Sequence, residues 1–174
     1  MPDSALLVVD MQPVLMTGAH DRAGVLSRVA ALAGRARLAG APVVYLRQRL
    51  DGVPADVDPA LAPEPGDVVL DKDSADSFLG TTLDDVLREH AVRTVVVTGY
   101  ATEYCVDSTA RSVLSHGYDL ALVADGHSTP DRPDGIVPSA DQIIGHHNVT
   151  FGIIQYAGRT TTVVPADEIR FGTG

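Results

Sequence analysis

Residues 94–106 read TVVVTGYATEYCV, and this stretch decides the fold. Its first part, Thr94–Thr98, is a β-branched run of the kind found in strands that are buried on both faces of a parallel sheet. Its last part opens a helical pattern over Thr102–His116. Four apolar residues recur there at i, i+4, i+7 and i+8, which gives the helix one apolar face: Val106, Ala110, Val113 and Leu114. A buried strand that leads directly into an amphipathic helix is the repeating unit of an α/β sheet.

The same alternation extends in both directions from this stretch. Five further short apolar runs predict strands at Ala5–Asp10, Pro42–Leu46, Asp67–Leu70, Asp119–Ala124 and Thr161–Val164. Three further helical patterns lie between them, at Val25–Ala39, Leu83–His90 and Ala140–Asn148. The sequence therefore predicts an α/β fold: one domain over residues 1–174, doubly wound, with a six-stranded, mainly parallel sheet flanked by helices.

Two proline-bearing segments interrupt this alternation. Arg47–Gly66 carries four prolines and Gly126–Ser139 carries three, and both are longer than ordinary connections. Segments of this length are often lids or subunit contacts. Plain surface excursions explain them equally well at this point.

Composition limits the classes of function. The chain has 174 residues, 45% of them hydrophobic and 21% charged, which is typical of a globular protein. Its net charge of −10 disfavours nucleic acid and anionic membrane as partners. No apolar run approaches the roughly 18 residues of a membrane span, and the first residues lack the features of a signal peptide. The single Cys excludes an intrachain disulfide. These features predict a cytoplasmic protein.

Three reactive residues follow predicted strands. Asp10 ends the first strand, Lys72 closely follows the third, and Cys105 lies just beyond the fourth. Ligands of open α/β sheets bind at the carboxyl ends of the strands, so we expect these side chains to meet at one edge. Lys72 is the only Lys among 13 basic residues. Base composition of the source genome explains this bias, and the alternative is that a compact ammonium is needed at this position.

These residue types suit acyl transfer. With Thr102 as the helix N-cap, Cys105 is the third helical residue, where free N–H groups and the helix dipole favour a thiolate. Asp10 would take the thiol proton and Lys72 would hold Asp10 and lower the thiol pKa. The alternatives are that Cys105 is a small buried hydrophobe and that Asp10 caps a loop.

The sequence lacks the motifs of several other common chemistries. None of the six His residues forms the usual ligand pair with a carboxylate near a strand end, so we expect structural or surface roles for them. The chain also has no GxGxxG, GxxxxGK[ST] or GxSxG sequence.

Three segments in order strongly resemble the isochorismatase-like cysteine hydrolases, a superfamily that includes nicotinamidases, N-carbamoylsarcosine amidases and streptothricin hydrolases. They read ALLVVDMQ at 5–12, DKDSADSF at 71–78 and TGYATEYCV at 98–106, and the similarity continues to residue 148. The resemblance implies a catalytic triad of Asp10, Lys72 and Cys105. It also implies a cis peptide bond between Tyr100 and Ala101, and an oxyanion hole formed by the N–H groups of Ala101 and Cys105.

Differences within the superfamily narrow the expected activity. Nicotinamidases carry an Asp-x-His metal motif after the second strand, whereas Leu46–Gly52 here contains no His. We therefore expect no metal and no cofactor. The presence of Cys105 favours a cysteine-dependent hydrolase that cleaves an amide or lactam C–N bond through a thioester, nearest the streptothricin-hydrolase-like members. The alternatives are a vinyl-ether hydrolase of the isochorismatase type, in which Asp10 and Lys72 do the acid work, and a non-catalytic binding member of the fold.

The substrate pocket is harder to predict. Gln12, Arg47, Phe78 and Tyr104 adjoin strand ends or triad residues and are expected to face it, although each also suits a role as loop anchor, surface cation, core residue or helix-face aromatic. Arg47 would favour a carboxylate, whereas the net charge favours a neutral or cationic amide, which we expect to be preferred. As in the superfamily, we expect a homodimer or homotetramer.

Overall fold

The computed structural model describes residues 3–132 and 135–172. Its strands are β1 (Ser4–Val9), β2 (Val43–Leu50), β3 (Val53–Pro54), β4 (Val68–Lys72), β5 (Thr94–Tyr100), β6 (Asp119–Ser128) and β7 (Thr161–Val164). Its α-helices are α1 (Arg22–Ala39), α2 (Leu83–Glu89), α3 (Asp107–Ser115) and α4 (Ala140–Ile153). Short 3₁₀ turns lie at Pro59–Leu61 and Ala166–Glu168, and a π-helical turn spans Thr102–Val106.

Six strands form one parallel sheet in the order β4-β2-β1-β5-β6-β7. The central pair is in register from Ser4 opposite Thr94 to Val9 opposite Gly99. Every residue of β1 is buried, because helices cover both faces of the sheet. The predicted α/β fold with six parallel strands is confirmed.

A seventh strand, β3, lies within the segment predicted as a loop. β2 continues to Leu50 and turns at Asp51 and Gly52, which have φ angles of 50° and 79°, and β3 then pairs antiparallel with it. Two central residues with positive φ are typical of a tight hairpin, and Asp-Gly is a strong hairpin signal. The prediction of an uninterrupted loop over Arg47–Gly66 is therefore wrong.

Two apolar layers hold the helices on the sheet. α1 packs on one face, where Val29 and Leu32 are fully buried. α2, α3 and Phe151 of α4 contribute to the layer on the opposite face. The apolar face predicted for the helical pattern over Thr102–His116 is buried in this second layer, as expected. Its four residues are Val106, Ala110, Val113 and Leu114.

The carboxyl ends of β1 and β5 leave no room for a side chain at residue 99. A Cβ atom on Gly99, which has a φ angle of 145°, would lie 2.3 Å from the carbonyl oxygen of Val9. Only glycine fits this position. The absence of a side chain at residue 99 lets the residue after β1 lie against the segment after β5.

β6 extends further than predicted. It runs to Ser128, with a register irregularity, and places His127 opposite Gly99 and Ser128 opposite Tyr100. The predicted loop Gly126–Ser139 therefore begins after Ser128, and its residues 133 and 134 lie outside the described residues. Among the helices that the structure describes, none combines the length and apolar character of a membrane span.

Candidate active site

Asp10 and Lys72 form a buried ion pair at the carboxyl edge of the sheet. Asp10 follows β1 in a left-handed conformation, with a φ angle of 53°, and Lys72 is the last residue of β4. β2 separates these two strands, and the long Lys72 side chain spans it to place Nζ 2.7 Å from Oδ2 of Asp10. Nζ also donates to Gln48 Oε1 at 2.9 Å and to the carbonyl oxygen of Ser74 at 2.8 Å. The ammonium thus has three oxygen neighbours for its three N–H donors.

Cys105 lies in the π-helical turn that precedes α3. The residue that flanks this turn on its N-terminal side is Ala101, so the prediction that Thr102 is the N-cap of the helix is wrong. The Thr102 hydroxyl lies instead 2.9 Å from Nδ1 of the buried His127. A buried imidazole needs hydrogen-bond partners, and the Thr102 hydroxyl is one of them.

The electrostatic environment makes the resting thiol neutral. Burial, followed by the charge of Asp10, raises the pKa of Cys105 to about 12, and Lys72 opposes this only in part. Burial also raises the pKa of Asp10 above its ordinary value, against the lowering effect of Lys72. The expectation of a resting thiolate is therefore wrong, because desolvation and the neighbouring carboxylate outweigh the cation.

A cavity of about 350 Å³ opens beside these groups. Asp10, Ala101 and Cys105 contribute to its wall, together with Leu15, Gln48, Ala75, Tyr100 and Tyr104. The peptide bond between Tyr100 and Ala101 is cis. The structure thus brings the acid, the thiol and the backbone around Ala101 to one mostly apolar hollow.

Of the four residues expected in the pocket, Tyr104 lines the cavity, and the other three do not. Gln12 is completely buried and ties the end of β2 to the following loop, since its Nε2 donates to the carbonyl oxygens of Gln48 and Ala55. It is a loop anchor, because its amide satisfies backbone groups of Gln48 in β2 and of Ala55 after β3.

Arg47 and Phe78 are also engaged elsewhere. Arg47 Nε lies 2.7 Å from Oδ1 of Asp71, its neighbour in the β2–β4 register, so its charge is paired away from the cavity. The ring of Phe78 stacks on His116 with the ring centroids 4.2 Å apart, within the layer under α3. Both residues are expected in the pocket because they adjoin strand ends or triad residues, whereas strand register and core packing decide the direction of their side chains.

The sequence interpretation missed Leu15, Gln48, Ala75 and Tyr100 as parts of the cavity wall. Gln48 had a usable signal, because the Asp-Gly turn implies that β2 continues past Leu46. Leu15 lies in the irregular segment between β1 and α1, where periodicity carries no information. Within residues 3–132 and 135–172, no three His, Cys, Asp or Glu side chains come together as ligands for a metal ion.

Comparison with known proteins identifies the family of this chain. The isochorismatase domain model matches residues 4–135. Streptothricin hydrolase from Streptomyces noursei is 39% identical over 142 residues, which cover 74% of this chain and 51% of that protein. The chain thus spans about half the length of that relative.

Two solved structures share the fold over nearly their whole length. A cysteine hydrolase from Pseudomonas syringae pv. phaseolicola 1448A has a TM-score of 0.85 at 27% identity, over 95% of this chain and 90% of that chain. N-carbamoylsarcosine amidase from Thermoplasma acidophilum has a TM-score of 0.77 at 26% identity, over 97% of this chain and 99% of that chain. With a family model that matches three quarters of its residues, this chain belongs to the isochorismatase family.

Proposed function

We propose that this protein is a cysteine-dependent hydrolase that cleaves the C–N bond of a small amide or lactam through a thioester. The observation that carries the proposal is the buried Lys72–Asp10 ion pair beside the Cys105 thiol, with Asp10 and Cys105 both at the wall of one cavity. The names of two relatives, a streptothricin hydrolase and an N-carbamoylsarcosine amidase, support this class of reaction.

Acylation begins from the neutral thiol. Because burial holds the pKa of Cys105 near 12, the S–H proton passes to Asp10 as the sulfur attacks the carbonyl carbon, and no resting thiolate is required. Lys72 favours the ionised form of Asp10 that accepts this proton. The products of this step are a tetrahedral intermediate and a protonated Asp10.

We propose that the backbone N–H groups of Ala101 and Cys105 stabilise the oxyanion. The carbonyl oxygen of Ala101 accepts from the N–H groups of Tyr104 and Val106, at 3.1 and 3.2 Å, on either side of Cys105. Ala101 and Cys105 border the same cavity. Removal of one such donor in a hydrolase costs about 3 kcal/mol of transition-state stabilisation.

Collapse of the intermediate breaks the C–N bond. Asp10 returns its proton to the departing nitrogen, and the amine or the opened lactam nitrogen leaves a thioester on Cys105. Asp10 then accepts a proton from the attacking water, and hydrolysis of the C–S bond restores the thiol and releases the acid. In a lactam both products remain on one molecule.

Mass spectrometry of the intact protein tests the nucleophile. After incubation with an electrophilic amide analogue, we expect one adduct on Cys105, and none on the matched Cys105→Ala variant. An unmodified wild-type chain would overturn the assignment. A Cys105→Ser variant that keeps turnover within a few fold would favour the vinyl-ether hydrolase instead, and an amide, lactam and carbamoyl panel without any product would favour the binding member.

The assembly is a separate part of the proposal. We propose a homodimer or homotetramer. A mass of one chain, measured by light scattering at micromolar concentration, would contradict this assembly.

A further inference from the structure

A buried chain of hydrogen bonds links α4 to the turn that carries Cys105. His127 is 1% exposed. Its Nδ1 lies 2.9 Å from the Thr102 hydroxyl and its Nε2 lies 3.0 Å from Oδ1 of Asn148. Asn148 Nδ2 in turn donates to the carbonyl oxygen of Ala124 at 3.0 Å. None of these side chains lines the catalytic cavity, so a role in the reaction would be exerted through the turn.

The partners determine the direction of the two hydrogen bonds of Asn148. A carbonyl oxygen only accepts, so the Asn148 group that faces Ala124 is the NH₂ group, and its oxygen faces His127. That oxygen also only accepts, so Nε2 of His127 carries the hydrogen. Burial favours the neutral imidazole, and in that form Nδ1 is unprotonated and accepts from the Thr102 hydroxyl.

This direction has a consequence for the backbone near Cys105. The Thr102 hydroxyl donates to His127 and so ties the first residue of the turn to β6. The next residue, Glu103, is fixed as well, because its carboxylate accepts from Thr129 Oγ1 at 2.6 Å and from Arg132 at 2.9 Å. Two consecutive residues of the turn are therefore fastened to the end of β6 and the residues after it.

We propose that His127 and Asn148 are positioning residues, which hold the turn between Ala101 and Cys105 in place through a neutral Nε2–H imidazole and the Thr102 hydroxyl. The proposal rests on the proposed function, since it assigns these residues to the nucleophile and the oxyanion donors of that reaction. It follows from the direction of the hydrogen bonds and is independent of the identity of the substrate.

The imidazole tautomer provides a test that does not need a substrate. In ¹⁵N NMR spectra of the full chain, with His127 assigned by its loss in His127→Gln, we expect a neutral Nε2–H tautomer at pH 7. A Nδ1–H tautomer or an imidazolium at pH 7 would overturn the proposal. The tautomer of His127 does not depend on the hydrolase mechanism, which is tested separately by the Cys105 adduct.

Kinetics of matched Thr102 variants test the effect on the reaction. Thr102→Val keeps the shape and removes the hydroxyl, and we expect kcat to fall on the order of 10- to 100-fold with little change in KM. Thr102→Ser restores the hydroxyl and should recover most of kcat. Equal kcat in the valine variant and the wild type would overturn the proposal, with thermal melting used to verify that both variants fold.

Asn148→Asp gives a second variant that keeps an acceptor for Nε2. Its carboxylate and the nearby Asp125 both favour the imidazolium, against the opposing effect of His147, so Nδ1 becomes a donor and the Thr102 hydroxyl must reverse. We expect kcat of this variant to fall as the pH decreases, over a pH range in which kcat of the wild type does not change. An unchanged pH profile would contradict the positioning role.

Discussion

Nζ of Lys72 lies 2.7 Å from Oδ2 of Asp10, and neither side chain is more than 1% exposed. Each charge would cost several kcal/mol to bury alone, so each is tolerated because of the other. The pair also joins β4 to the end of β1 across β2. Its removal should therefore affect both stability and chemistry, and the two effects can be separated.

Lys72→Met leaves the Asp10 carboxylate buried without its cation. We expect the free energy of unfolding, measured by urea denaturation, to fall by about 3–5 kcal/mol, and hydrolysis to be lost. The double variant Asp10→Asn/Lys72→Met removes both charges and should recover most of the stability without recovering hydrolysis. A Lys72→Met protein as stable as the wild type would contradict the importance of the pair.

The reactivity of Cys105 should depend on Asp10 in opposite ways in two assays. Because burial and Asp10 raise the thiol pKa to about 12, iodoacetamide should alkylate the wild type slowly at pH 8, compared with a free cysteine. Asp10→Asn removes the raising charge and leaves Lys72, so alkylation should become faster while hydrolysis is lost. Cys105 is the only cysteine, so the mass of the intact protein reports it alone. Slower alkylation in the variant would refute this account.

His127 should make the protein less stable in mild acid. Burial lowers its pKa from 6.5 to about 4, so in this pH range the unfolded chain binds a proton that the folded chain does not. The contribution to stability is complete above pH 6.5 and is lost as the pH falls toward 4, by an amount on the order of 3 kcal/mol. Urea denaturation at several pH values measures this slope.

The matched control for that slope is His127→Asn, which lacks the titrating group. Its absolute stability is lower, so the informative quantity is the difference between the two slopes. Asp84, whose pKa is held below its ordinary value by the Tyr118 hydroxyl, contributes above its ordinary pKa of 3.8 and loses that contribution at lower pH. Identical slopes for the variant and the wild type between pH 6.5 and 4 would show that His127 does not control this transition.

Arg47 should have no influence on the charge of the preferred substrate. Its guanidinium is paired with Asp71 and lies outside the cavity wall. For carboxylate and amine versions of one amide, we expect the ratio of kcat/KM values to be the same in Arg47→Gln and in the wild type. The net charge of −10 should favour the amine version, less so at high salt. A selective loss of activity toward the carboxylate version in Arg47→Gln would show that Arg47 does take part in substrate binding.

The alternation of short buried strands and amphipathic helices determined the architecture from the sequence alone. These patterns are local, because each records which faces of one element avoid water. The same holds for the carboxyl-edge positions of Asp10, Lys72 and Cys105, since in a parallel sheet such positions follow from the order of strand and loop. The Asp51-Gly52 pair is also a local signal. It predicts the hairpin between β2 and β3, which the sequence analysis did not include.

Only the tertiary structure decided which side chains reach the cavity and what their charges do there. Gln12 and Arg47 satisfy partners on neighbouring strands, and Thr102 turns to His127, a contact 25 residues away in the chain. The resting state of Cys105 likewise depends on how fully the neighbouring elements desolvate it. Register, burial and hydrogen-bond direction arise between elements that are distant in sequence, so the pattern within any one segment does not contain them.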